Sequence, residues 1–143
     1  MQMVKIVLAV ILLAAAGCGG GPEVVPVSGV ITLDNEPLAG ARINTQPIGT
    51  VDNPNPGQGS FGETDNEGRY TLELASDGQD GAIVGEHRVT IVPKEDAFSP
   101  DPTDDRYRPM SRPWPRRFTD NSLRITVPAG GTDSADLNLS LKQ

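Results

Sequence analysis

Cysteine, histidine and tryptophan each occur once in these 143 residues, and aromatic residues make up only 4%. A single cysteine excludes an internal disulfide and any zinc cluster built on thiolates. A single histidine, His87, excludes every metal site that needs two imidazoles. Basic residues are scarce too. Twelve Lys and Arg stand against 19 Asp and Glu, a net charge of −7. Such a surface repels phosphate backbones, so nucleic acid is not expected as a partner. No apolar run reaches the roughly 20 residues of a membrane-spanning helix.

The chain is rich in punctuation. Sixteen Gly and 13 Pro are spread along it, which implies many turns and short strands. The length fits one domain, and a chain of this size buries a core without covalent staples.

The one cysteine lies in "LLAAAGCGGGP". Lys5 precedes an uncharged apolar run, Ile6–Ala16, and the small residues Ala15, Ala16 and Gly17 come just before Cys18. A basic start, a short apolar stretch and small residues at its end have the layout of a signal peptide. The junction resembles a bacterial lipobox, with Ala15 where that motif usually has Leu. The resemblance implies that the chain is cut before Cys18 and that the thiol carries a diacylglyceryl group, with acyl chains such as palmitate. Each buried methylene contributes about 0.8 kcal/mol, and two or more chains hold a protein stably. Cutting there also removes Lys5, leaving the mature chain one charge more negative. The expected organisation is a leader at 1–17, a flexible Gly-rich tether at 18–23 and a folded domain at 24–143. Alternatives are an uncleaved anchor or a free thiol after ordinary secretion. By analogy with enterobacterial sorting, Gly19 after the cysteine points to the outer membrane, facing the periplasm or the cell surface.

From Val24 onward the apolar residues recur at every second position, the mark of half-buried strands. Val25, Val27, Ile31 and Leu33 share one side of a first strand, and Asp34-Asn35-Glu36-Pro37 reads as a turn. Ala41, Ile43 and Thr45 mark a second strand, residues 47–60 a loop, and Ser60–Thr64 a short third strand. Asp65-Asn66-Glu67-Gly68 supplies hairpin chemistry before Tyr70, Leu72 and Leu74. A loop at Ser76–Gly85 leads to a strand at His87–Val92. Leu123, Ile125 and Val127 form the next, and Ala135, Leu137, Leu139 and Leu141 the last. The spacing predicts about seven strands in an antiparallel sandwich, and no helix after the leader. Leu72, Leu74, Val89, Ile91, Ile125, Leu137 and Leu139 are the expected core, with Arg69, Thr71, Asp136 and Asn138 outside.

The stretches "VSGVITLDNEPLAGARI", "GETDNEGRYTLEL" and "DGAIVGEHRVTIV" resemble the carboxypeptidase regulatory-like domain, which implies a transthyretin-like (prealbumin-like) Greek-key sandwich. They carry its Gly-Val start (Gly29-Val30), its Pro-Leu-x-Gly-Ala turn (Pro37–Ala41), its Thr-Asp-x-x-Gly-x-Tyr hairpin (Thr64–Tyr70) and its Gly-x-x-x-Val strand (Gly85–Val89). The ending "SLRITVPAGGTDSADLNLSL" is similar to that of small planctomycete-type lipoproteins. The resemblance covers residues 24–93 and 115–141. Its motifs mark turns and core positions, so it implies a fold and no activity.

Enzymes of related shape set requirements that can be checked. An iron site like that of intradiol dioxygenases takes two Tyr and two His, and this chain has one His. Hydroxyisourate hydrolases take several His and Arg residues and a particular C-terminal tetrapeptide, whereas this chain ends "LSLKQ". A Ser-His-Asp triad would need His87 as base, but His87 alternates with Val89 and Ile91 and reads as a half-buried core or edge residue. Asp65, Glu67 and Gly68 do not continue the alternating-oxygen pattern of a calcium loop; a carboxylate site within Asp101–Asp105 stays open. No enzyme activity and no cofactor are expected.

The remaining feature is an irregular insert at 94–118. Its first half is acidic. Its second half is basic and aromatic, with Arg106, Tyr107, Arg108, Arg112, Trp114, Arg116 and Arg117. Two readings stand. The halves neutralise each other over the sandwich, with Trp114 covering an open edge, or the basic half is a contact surface. The leading expectation is a non-enzymatic, membrane-anchored lipoprotein of the cell envelope, an adhesion, assembly or accessory module. The alternative is a carbohydrate- or envelope-polymer-binding module that uses the Trp- and Arg-rich insert.

Overall fold

The computed structural model describes residues 20–93 and 114–142. They form an all-β sandwich. Its strands are β1 (Val24–Val25), β2 (Ser28–Leu33), β3 (Glu36–Pro37), β4 (Arg42–Pro47), β5 (Ser60–Glu63), β6 (Arg69–Thr71), β7 (Glu73–Leu74), β8 (Ala82–Ile83), β9 (Gly85–Val92), β10 (Leu123–Val127) and β11 (Leu137–Leu139). The count exceeds the expected seven because alternation marks a face and not a continuous ladder. Pro26 has no N–H to give and divides β1 from β2. Leu72 divides β6 from β7 where the chain changes partners. Glu36–Pro37 is a strand too, because the turn needs only Asp34 and Asn35, both at positive φ (51° and 72°), as a two-residue hairpin requires. The loop expected at 76–85 contains β8, and Pro47 belongs to β4.

One sheet has the order β10-β9-β4-β5-β7, and a second the order β11-β2-β3, with β6 also on β2. The two are halves of one path, since β7 follows β6 after Leu72. Leu72 N–H donates to Val27 O at 2.9 Å. The path therefore runs from β10 through the β7/β6 crossing to β11. A small third sheet pairs β1 with β8.

The ladders are antiparallel except one. β11 runs parallel to β2, Leu137 opposite Ile31 and Leu139 opposite Leu33. A parallel pair needs a long crossover, and nearly the whole domain lies between these two strands.

The expected core residues are buried. Ile31, Ile43, Leu72, Val89 and Ile91 are wholly enclosed, with Ile125, Leu137 and Leu139 close to it. Arg69, Thr71, Asp136 and Asn138 are exposed. A fully buried side chain of this kind contributes roughly 1.5–3 kcal/mol, so this inward row holds the two faces together.

Candidate functional site

Three of the four family-like motifs meet at one place, and the fourth, Gly85–Val89, lies on β9 beside β10 and β4. Thr64 is the centre of the meeting place. Its Oγ1 accepts from Ala41 N–H at 2.8 Å and donates to Leu38 O at 2.5 Å, and its own backbone exchanges bonds with Gly40 and Ala41. The Pro37–Ala41 turn is thereby fastened to the start of the hairpin. Asp65 Oδ1 accepts from Glu67 and Arg69 N–H and closes the turn. Gly68 sits at φ 74°, where a Cβ would lie 2.5 Å from Ile31 O, so only glycine fits.

Gly29 is the second node. A Cβ there would lie 2.3 Å from Ala135 O. Tyr70, directly across from Gly29 on β6, donates its hydroxyl to that same carbonyl at 2.5 Å. Burial, and then the nearby Asp136 carboxylate, push the phenol well above its usual range, so it stays a donor at all working pH values. These motifs build a junction, and their residues are engaged with one another.

His87 is fully enclosed, not half-buried as expected, because β8 folds over it from the small third sheet. Its Nε2 lies 2.7 Å from Ile83 O. A carbonyl only accepts, so Nε2 carries the proton. Nδ1 is buried with no partner. Burial pulls the imidazole pKa below its ordinary value, opposed by the Ile83 bond. On β9 its ladder neighbours are Pro47 and Ile125.

Of the predicted contact surface, Arg106, Tyr107, Arg108 and Arg112 lie outside the described residues, as do the lipidation candidate Cys18 and the Asp101–Asp105 stretch. Trp114, Arg116 and Arg117 fall within them. Trp114 is half-buried and packs against the core. Its indole N–H donates to Ile91 O at 2.9 Å, and its ring meets Phe118 edge-on at 5.1 Å. Phe118, on a single 3-10 turn at Arg116–Phe118, is buried. The Arg117 guanidinium lies over the Phe118 ring at 4.8 Å and donates to Ser140 O and to Lys142 O. Arg116 alone of the three points into solvent. Trp114 and Arg117 thus act as a cover joining the approach to β10 with the end of β11.

A groove of about 840 Å³ opens on the outer face where β5, β6 and β2 meet. Its walls carry Phe61, Glu63, Arg42, Arg69, Thr71 and Glu73. Across β4 and β5, Arg42 faces Glu63; across β5 and β7, Phe61 faces Glu73. Alternation places Arg69 and Thr71 on the outside but gives none of these residues a shared site. One signal was present: in Ser60-Phe61-Gly62 the aromatic occupies the outward position of the alternation. Among the described residues no group of three His, Cys, Asp or Glu side chains is placed to hold a metal ion. No family model, curated protein or solved structure matches the chain.

Proposed function

We propose that this protein is a non-enzymatic lipoprotein of the bacterial cell envelope, a carboxypeptidase regulatory-like sandwich held at the membrane by acyl chains on Cys18. The observation that carries the reading is the succession of an apolar run, small residues and a lone cysteine, followed within a few residues by a packed domain. Gly20–Glu23 are exposed and lead straight into β1. At Gly20 and Gly21 even an added Cβ would touch nothing, as suits a tether. The non-enzymatic part is supported by His87, the chain's one imidazole, which is shut inside the core with its Nε2 engaged by Ile83 O. The interlocking of the Gly29, Thr64, Gly68 and Tyr70 positions supports the family reading, since each motif residue has a structural duty at the same junction.

The test is fractionation of cells expressing the wild type and Cys18→Ser. The wild type is expected in the membrane fraction, and Cys18→Ser in the soluble fraction or as an uncut precursor. A variant processed and retained like the wild type would refute the anchor.

A further inference from the structure

Three of the four aromatic side chains among the described residues serve the core. Tyr70 and Phe118 are buried, and Trp114 packs against the core cluster and the Phe118 ring. Phe61 is the fourth. It stands outside the core cluster, half-buried on the outer face, where alternation otherwise places polar residues.

Its surroundings are chemically specific. Arg42, Glu63, Arg69 and Glu73 make no side-chain hydrogen bond or ion pair among the described residues, whose one ion pair is Arg124–Glu86 at 3.7 Å. Their donors and acceptors face the groove unspent. The volume, about 840 Å³, falls in the roughly 300–1,000 Å³ range of ligand clefts.

The charge pattern selects among ligands. An anion drawn by Arg42 and Arg69 would also meet Glu63, Glu73 and Asp133, which likewise lines the groove, and a compact cation would meet the guanidiniums. A neutral ring bearing many hydroxyls satisfies both. Each hydroxyl donates to a carboxylate and accepts from a guanidinium, while the C–H face of the ring lies on Phe61. We propose that this groove binds a neutral saccharide chain, with Phe61 as the platform and Arg42, Glu63, Arg69 and Glu73 as the polar contacts.

Glu73 and Asp133 lie on the side of the groove nearer β1, but its Arg42–Glu63 end is built from the other end of β4 and β5 than the one the entering chain touches. Pro22 packs beside Gly57, in the loop that follows the Pro47 end of β4, whereas Arg42 begins β4 and Glu63 ends β5. A tethered domain would present that end outward, but saccharide binding does not depend on the anchor.

The test is calorimetry of the full chain in detergent, with oligosaccharides of cellulose, chitin and mannan as probes and an oligouronate and a mixed-charge peptide as counter-probes. At least one neutral saccharide is expected to bind, and Phe61→Ala to weaken it about tenfold, the scale of one aromatic contact. Glu63→Gln, on the exposed face, is expected to weaken it by about threefold or more with the melting midpoint unchanged. Three results would overturn the proposal: no neutral saccharide binds, only the uronate or the peptide binds, or neither substitution alters the affinity. Because attachment to the membrane plays no part in the measurement, its failure leaves the anchor untouched.

Discussion

The sandwich closes at two places by different means. At the β7/β6 crossing, closure is a matter of backbone. The chain itself passes from one sheet to the other, Thr64 and Asp65 fasten the adjoining turns, and Gly29 and Gly68 let main chains approach where no side chain would fit. Where the path ends, the segment that leads into β10 is joined by side chains to β9 and to the stretch after β11. Phe118 fills the interior, Trp114 caps Ile91 O, and Arg117 reaches the carbonyls of Ser140 and Lys142. Backbone closure imposes residue types at fixed spacing, so it leaves a motif. Side-chain closure needs only a suitable group within reach, so it leaves none.

The comparison is broken most forcefully on the side-chain side. Phe118→Ala empties a buried aromatic site, and a loss of about 3–5 kcal/mol is expected in urea unfolding. In hydrogen exchange, β10 and β11 should lose protection before β2 and β4 do. Equal loss everywhere would mean that the two closures are one cooperative unit.

On the backbone side, Gly29→Ala forces the Ala135 carbonyl away from β2 and from the Tyr70 hydroxyl. Overpacking of this kind typically costs about 1–3 kcal/mol. Because Tyr70→Phe removes the same contact, the double variant should fall short of the sum of the single losses. Strict additivity in a double-mutant cycle would show that the two residues do not share that carbonyl.

A smaller effect separates two neighbouring arginines. Arg117→Ala removes bonds to two carbonyls and a ring contact, and should lower stability by about 1 kcal/mol. Arg116→Ala should stay within about 0.5 kcal/mol, as exposed positions do. Equal effects would remove Arg117 from the seam.

The mildest expected effect is in acid. His87 has its pKa lowered by burial, so the unfolded chain takes up a proton first. The stability contributed by the neutral imidazole is complete above the unfolded value of about 6.5. It is lost as pH falls from there through the lower folded value. The melting midpoint of the wild type should drop over that window, and His87→Leu should flatten the drop. A midpoint that rises on acidification would contradict the buried neutral assignment.

The same contrast explains what was legible in the sequence. Alternation placed Ile43, Leu72, Val89, Ile91 and Leu139 inside correctly, because a period of two fixes the face of a strand. It does not fix the partner. Nothing local to Leu137–Leu139 says that this strand lies parallel to one that begins the domain. The turns were legible in Asp34-Asn35 and Asp65–Gly68, where the chemistry is local, although the pattern ran the first strand through Pro26. The partners of Arg117 lie more than twenty residues away, so its duty at the seam was invisible. Phe61 was not singled out from the sequence, although its outward place in the alternation was there to read, and the groove around it needs β2 and β6, which only the fold brings together.

The proposed anchor is a lipid on Cys18 that holds this sandwich at a membrane. Intact mass spectrometry of the protein extracted from membranes tests it most directly. The expected species is a chain beginning at Cys18 with the added mass of a diacylglyceryl group. A full-length chain, or a cut chain with no added acyl mass, would contradict it.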